Sequence, residues 1–179
     1  MREIPLEGSV RLISPRLTVL VNTLDEKGEL NASPYSWVFP LSFNPPIIGV
    51  AIGGKHKHTY VNAKRSGEFV LCVVSEDFGQ QAVNCEEPHE PGERLWAKHG
   101  LHTASSVKVS VPRIAESRAV LECAVEGFLE PPGDHVILLG RVLHAEAVDG
   151  GLDAVRPLLH DLGEKFRAIG TEIALKRRR

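Results

Sequence analysis

The ten residues Gly53–Asn62 combine the side chains that commonly bind a phosphate: two glycines, two lysines, two histidines and a threonine. Glycine lets the backbone approach a ligand because it has no Cβ. Lys55 and Lys57 supply positive charge, while His56 and His58 donate hydrogen bonds or add charge near neutral pH. A helix that begins at Thr59 would add its free N–H groups and the positive end of its dipole. We therefore predict a phosphate cradle here, with a solvated basic turn as the alternative.

A second polar stretch, Asn31–Trp37, carries an amide, hydroxyls and two aromatic rings. A flat polar ligand needs a wall to lie against and hydrogen-bond partners at its edge. Tyr35 or Trp37 would supply the wall, and Asn31, Ser33 and Ser36 the edge. Taken alone, this stretch fits ordinary packing at a strand end better.

The other motifs of the chain favour neither a metal nor a nucleophile. His56 and His58 would share a face of a strand, but a metal site also needs a third ligand and supporting contacts, and HExxH is absent. A metal-binding protein therefore remains the weakest alternative. The sequence also lacks Gly-x-Ser-x-Gly, Gly-x-Gly-x-x-Gly, the Walker lysine loop and Cys-x-x-Cys. A bound nucleotide would need a device other than a Rossmann fingerprint.

The elements that position these stretches are mostly strands. Apolar and β-branched runs predict strands, and because they follow one another without regular helices we expect a mainly β, antiparallel barrel or sandwich. Pro34 cannot donate to a ladder, so its segment is an edge strand, a bulge or a loop. The predicted strands are 17–24, a strand that runs into 31–37, 39–43, 47–52, 68–74, 107–111, 119–130 and 135–148. The predicted helices are 59–66 with Thr59 as N-cap, 75–84 capped by Ser75, and 152–162.

Composition fits one domain with a sizeable core: 179 residues, 42% hydrophobic, 25% charged and a net charge of -2. This charge argues against general nucleic-acid binding. No window reaches the roughly 20 apolar residues of a membrane span, and Met1–Pro15 lacks the apolar segment of a signal peptide, so we expect a cytoplasmic protein. The basic run Lys176–Arg179 is interpreted as a solvated tail.

Taken in order, several segments resemble the flavin reductase-like family, the FMN-binding split-barrel proteins that include flavoredoxins and the small reductases of two-component monooxygenases. No single segment is specific, but the ordered set is. The segments are 15–21 (PRLTVLV), 31–37 (NASPYSW), 41–46 (LSFNPP), 57–62 (KHTYVN), 66–70 (SGEFV), 121–123 (LEC), 133–135 (GDH) and 140–142 (GRV).

This resemblance implies a homodimeric, Greek-key-like split β-barrel over residues 15–170, with an extension at 1–14, a tail at 171–179 and flavin near the dimer interface. It implies that His135 contacts the nicotinamide of NAD(P)H, and that Arg94 replaces a lysine found near the flavin in relatives. The residues expected at the isoalloxazine ring are Asn31, Ala32, Ser33, Pro34, Tyr35, Ser36, Trp37 and Ser42. Those expected at the ribityl phosphate are Lys55, His56, Lys57, His58, Thr59 and Asn62.

Two departures bear on function. His58 stands where many relatives have an acidic residue, and the loop Cys85–Gly100 is the least typical segment and should shape the substrate side. The resemblance implies FMN as the cofactor, and these departures bear on FAD as the alternative. We predict NAD(P)H-dependent flavin reduction that passes electrons to oxygen, free flavin or a partner such as a monooxygenase. The alternative is an FMN-binding electron carrier that does not use NAD(P)H.

Overall fold

The structure, a computed structural model, describes residues 1–173 and 175. The predicted basic tail Lys176–Arg179 lies outside the described residues. In the part described, no helix is long and apolar enough to cross a membrane. The strands and α-helices are β1 (Arg16–Leu17), β2 (Val19–Leu24), β3 (Leu30–Tyr35), β4 (Val38–Phe43), β5 (Pro46–Ile52), α1 (His58–Ser66), β6 (Glu68–Val73), α2 (Gly79–Asn84), α3 (Leu95–Lys98), β7 (Thr103–Ala104), β8 (Arg113–Ile114), β9 (Ala119–Leu129), β10 (Val136–Ala147), α4 (Gly151–Val155), β11 (Leu159–Leu162) and β12 (Lys165–Arg167). Short 3-10 helices cover Leu6–Leu12 and Glu76–Phe78.

Seven strands form one sheet in the order β3-β2-β6-β9-β10-β5-β4, and every neighbouring pair is antiparallel. Strands β1, β11 and β12 form a separate three-stranded sheet. The predicted mainly β, antiparallel architecture with few short helices is confirmed. Strand β3 lies at the sheet edge, where Pro34 is tolerated because no further strand needs its missing N–H.

Strand β2 is buried from Val19 to Thr23 because both faces of the sheet are covered there. In β2, Leu20 packs into one core cluster with Phe78 of the segment before α2, while Val19 and Val21 pack into a second cluster with Tyr60 of α1. All five of these side chains are buried. The alternation of β2 therefore separates two cores rather than core from solvent. This arrangement fixes α1 against one face of the sheet.

The strand predicted at Val107–Val111 is wrong. The buried carboxylate of Glu122 accepts the N–H groups of Val107 at 2.8 Å and Lys108 at 2.5 Å. Glu68 accepts the N–H of Ser110 at 2.8 Å. Side chains thus take the backbone hydrogen bonds that a neighbouring strand would otherwise receive, and the segment forms successive bends instead.

The helix predicted over Leu152–Leu162 is also wrong beyond Val155. Pro157 interrupts it, since proline cannot continue a helix, and Arg156 takes a left-handed conformation with φ of 50°. The chain then extends, and β11 pairs with β1 and β12.

The starts of the other two helices differ in detail from the predictions. Helix α1 begins at His58 with Lys57 rather than Thr59 as N-cap, and it ends at Gly67, which has the left-handed conformation expected of a stop. Ser75 precedes a 3-10 turn, and within the described chain its hydroxyl makes no capping hydrogen bond.

Candidate functional site

A cavity of about 470 Å³ opens where the end of β3, the β5–α1 turn, the segment after α2 and the start of β10 meet. Small-molecule sites commonly measure about 300–1,000 Å³. The cavity brings together ten of the residues proposed from the sequence. They come from three separate parts of the chain, and His135 is 98 positions from Trp37. These ten are Ser33, Pro34, Tyr35, Ser36, Trp37, His56, Lys57, His58, Thr59 and His135.

The β5–α1 turn presents backbone and cationic groups to this cavity. Gly54 has a φ of 105°, and a Cβ there would lie 2.8 Å from the His56 ring, so the turn requires glycine at this position. Lys57 follows at the N-cap of α1, and within the described residues no side chain caps this helix end. The N–H groups of its first turn therefore remain available beside Lys57, where the helix dipole favours an anion.

Buried polar side chains support the cavity floor. Asn31 donates from Nδ2 to the hydroxyls of Ser33 at 3.2 Å and Thr59 at 3.4 Å. Asn62 donates to Thr23 Oγ1 at 3.3 Å. Thr59 is 1% exposed, Asn31 8% and Asn62 6%. Asn31 thus lies behind the cavity wall and orients Ser33 and Thr59, whereas Asn62 contacts Thr23, which does not line the cavity.

An aromatic pair forms the opposite wall. The rings of Trp37 and His135 stack with centroids 4.6 Å apart and an interplanar angle of 13°. His135 Nδ1 lies 2.6 Å from Asp134 Oδ1, and this hydrogen bond holds the pKa of the Asp134 carboxyl below its usual range. A Cβ on Gly53 would lie 3.7 Å from His135 Nε2. The β5–α1 turn and His135, which is distant in sequence, therefore line the same cavity.

Tyr35 completes that wall from β3. Burial raises the pKa of its phenol, an effect that the nearby Thr59 hydroxyl partly opposes. Tyr35 therefore remains a neutral phenol at physiological pH. It can supply an apolar ring face without adding charge to the cavity.

The segment Cys85–His89 also lines the cavity, and none of its residues was proposed individually from the sequence. His89 Nε2 lies 3.3 Å from His58 Nδ1 and 3.1 Å from Asn31 Oδ1. Burial raises the pKa of the Cys85 thiol to about 12, so it lines the cavity as a neutral group. The signal in the sequence was regional, because a long Pro-, Gly- and His-rich loop indicates function without saying which side chain turns inward.

Several sequence-proposed residues lie outside this cavity. Arg94 forms a bidentate ion pair with Glu29 at 2.7 and 2.8 Å, and this bond raises the pKa of Arg94. Lys55 pairs with Glu130 at 2.7 Å, and both side chains are more than half exposed. Ala32 is buried in the core, and Ser42 lies on the edge strand β4. The proposed flavin contacts of these residues stay predictions.

The described residues also bear on the metal hypothesis. Across residues 1–173 and 175, no group of three or more His, Cys, Asp or Glu side chains is arranged to hold a metal ion. His58 and His89 form a pair, but a pair lacks the third ligand of a stable site.

Comparison with known proteins adds the family context. A model of the flavin reductase-like domain matches residues 12–170. An uncharacterized protein of Halalkalibacterium halodurans is 37% identical over 184 residues, covering 92% of this chain and 87% of the relative. Component B of nitrilotriacetate monooxygenase from Bacillus cereus superimposes with a TM-score of 0.87 at 25% identity, covering 98% of both chains. A proposed flavin reductase with a split-barrel domain from Shewanella frigidimarina gives 0.87 at 18% identity, covering 98% of this chain and 94% of the other. The predicted split-barrel fold is confirmed.

Proposed function

The chain belongs to the flavin reductase-like family, and from this premise we propose that it binds FMN in the cavity beside α1 and reduces it with NAD(P)H. The observation that carries the proposal is the composition of one cavity: a cationic turn at a helix N-terminus, two aromatic rings and the remote His135. Electrons would pass to oxygen, free flavin or a partner protein.

The β5–α1 turn has the donors that a phosphate requires. Lys57 supplies charge, the first-turn N–H groups of α1 supply directed hydrogen bonds, and the buried Thr59 hydroxyl is oriented by Asn31. A side chain at Gly54 would collide with His56, so the turn keeps its shape only with glycine at this position. His56 and His58 would add hydrogen bonds to the same phosphate. This group of residues would therefore anchor the cofactor without taking part in redox chemistry.

Tyr35 and Trp37 would flank the isoalloxazine ring, with the hydroxyls of Ser33 and Ser36 at its polar edge. The flavin, when bound, supplies the hydride and electron chemistry. The chain's part is to hold the ring between apolar faces and to exclude water from them. We expect no obligatory proton donor or acceptor from the chain.

His135 is proposed to position the hydride donor. Its imidazole is fixed from one face by Trp37 and from Nδ1 by Asp134. Nε2 faces the β5–α1 turn and has no hydrogen-bond partner among residues 1–173 and 175, so we propose that it contacts a nicotinamide amide or a phosphate oxygen.

Anaerobic mixing of the FMN-loaded protein with NADH or NADPH tests the proposed activity. We expect one of the two to bleach the visible flavin band at near-stoichiometric donor. A band that persists with both donors would contradict the reductase proposal.

A flavin-binding electron carrier is the second candidate, and the Trp37–His135 stack favours it. One face of the His135 ring is already covered at 4.6 Å, which reduces the space for a nicotinamide ring there. The same anaerobic experiment separates the two functions, since a carrier would accept electrons from dithionite but not from NAD(P)H.

We further propose a homodimer that uses the edge strand β4. Phe43 is 98% exposed and Leu41 49% exposed on this strand, and an edge with bare apolar side chains favours association. A dimer would also bring Ser42 toward a neighbouring subunit.

The similar Bacillus cereus protein is component B of a monooxygenase, which supports a second protein as electron acceptor. Light scattering on the purified chain tests the proposed homodimer.

A further inference from the structure

His160, on β11, connects the C-terminal sheet to the candidate flavin cavity. Its Nδ1 lies 2.8 Å from the Ser36 hydroxyl, which lines that cavity, and its Nε2 lies 3.0 Å from the carbonyl oxygen of Gly163. His160 itself lines a second, adjoining cavity of about 990 Å³, and the two cavities share Pro34, Tyr35, Ser36 and Glu86. His160 therefore contacts Ser36 from the side of the second cavity, although the two residues are 124 positions apart in the chain.

The partners of the two ring nitrogens determine the direction of each hydrogen bond. A carbonyl oxygen only accepts, so Nε2 carries the proton and donates it to Gly163. In a neutral imidazole Nδ1 is then an acceptor, and the Ser36 hydroxyl donates its proton to it. Because its hydroxyl proton points toward His160 Nδ1, Ser36 presents only lone pairs to the candidate flavin cavity.

The His160 ring is held in this orientation on other sides as well. Phe166 of β12 stacks on it with centroids 4.9 Å apart and an interplanar angle of 28°. The backbone of His160 is paired with Arg16 of β1 and with Phe166 of β12. A ring fixed by two strands, one stacking contact and two hydrogen bonds has little freedom to release Ser36.

We propose that His160 is a positioning residue that makes the Ser36 hydroxyl a hydrogen-bond acceptor toward the ligand. The complementary group is a ring N–H, and the isoalloxazine of oxidised flavin carries one at N3. This assignment of the ligand rests on the proposed function, whereas the orientation of Ser36 does not. A ligand edge that offers only acceptors would meet lone pairs and be disfavoured.

The orientation is tested on the protein without flavin. Imidazole ¹⁵N spectra recorded at about pH 8 should show His160 protonated at Nε2 and unprotonated at Nδ1. The Ser36→Ala variant should change the Nδ1 shift and leave Nε2 unchanged. A ring protonated at Nδ1, or a spectrum indifferent to Ser36→Ala, would overturn the proposal whether or not flavin binds.

The action on the ligand is tested by a double-mutant cycle on FMN affinity. His160→Phe keeps an aromatic ring against Phe166 but removes both nitrogens, and we expect FMN to bind about three- to tenfold more weakly, the range of one hydrogen bond. In the Ser36→Ala background the same change should alter affinity less than twofold. Equal effects in both backgrounds would show that His160 acts only by holding β11 against β1 and β12, and not through Ser36.

His102→Phe is the matched control for that cycle. His102 bonds Glu116 away from both cavities, so FMN affinity should not change. If the wild-type chain binds no FMN, the proposed function fails, and the ¹⁵N spectra alone then decide the orientation of Ser36.

Discussion

At the residue scale, the proposed role of His135 follows from its neighbours. Trp37 covers one face of its ring, Asp134 takes Nδ1, and the Gly53 backbone approaches Nε2. The hydrogen bond at Nδ1 leaves Nε2, on the side of Gly53, as the ring nitrogen proposed to contact a ligand. Lys57 and Thr59 lie across the same cavity, so anchoring and donor binding belong to different side chains.

The His135→Ala variant tests this division of roles. We expect the apparent KM for NAD(P)H to rise about tenfold, because the variant loses a contact worth about 1–1.5 kcal/mol, while FMN affinity stays within about twofold. Stopped-flow bleaching and FMN fluorescence quenching measure the two effects separately. His102→Ala serves as the control on both. An equal loss of FMN affinity would show that His135 belongs to the cofactor site instead.

At the scale of elements, a buried carboxylate replaces a strand. Glu122 of β9 is 1% exposed and accepts two backbone N–H groups from the segment that follows β7. This segment covers the sheet face opposite α1, and Val111 packs into the same core cluster as Leu20. Glu122 thereby holds residues 107–111 against the sheet face opposite α1.

The Glu122→Gln variant should lower the free energy of unfolding by about 2 kcal/mol. A glutamine has nearly the same shape but offers an NH₂ group where the carboxylate accepts, so one buried N–H would lose its partner. Urea unfolding followed by circular dichroism measures the change. Glu126→Gln, on the same strand but exposed and paired with Arg141, should change stability by less than about 0.5 kcal/mol. Equal effects of the two variants would contradict this role.

The elements also show which features were predictable. The long strands β9 and β10 and the stop of α1 at Gly67 follow from local pattern and were predicted within a residue or two. The bends at 107–111 depend on Glu122 and Glu68, which lie outside the segment. The alternation of valines with Lys108 and Ser110 therefore predicted a strand there. The inward position of His89 likewise depends on how a long loop folds back, which no local pattern records.

At the scale of the whole molecule, two cores on either side of one sheet bury the three cysteines. Burial raises the pKa of Cys72 to about 11 and that of Cys123 to about 12. The thiol form is thus favoured in the folded state. The resulting stability is complete below about pH 9 and is lost as the pH rises through 11 to 12.

Thiol labelling tests this burial. At about pH 8 a pKa of about 11 instead of 9.0 lowers the thiolate fraction roughly a hundredfold, so native protein should react with a disulfide reagent at least a hundredfold more slowly than unfolded protein. Absorbance of the released chromophore gives both rates. A fast native phase would show that the cores open readily.

Direct titration of the purified chain with FMN and with riboflavin, followed by flavin fluorescence, tests the central claim that the β5–α1 turn anchors a flavin phosphate. The two ligands share the ring and differ by the phosphate. FMN should quench with at least about tenfold higher affinity than riboflavin, and Lys57→Ala should weaken FMN binding while leaving riboflavin binding unchanged. Equal affinities for the two ligands, or no quenching by FMN, would contradict the account.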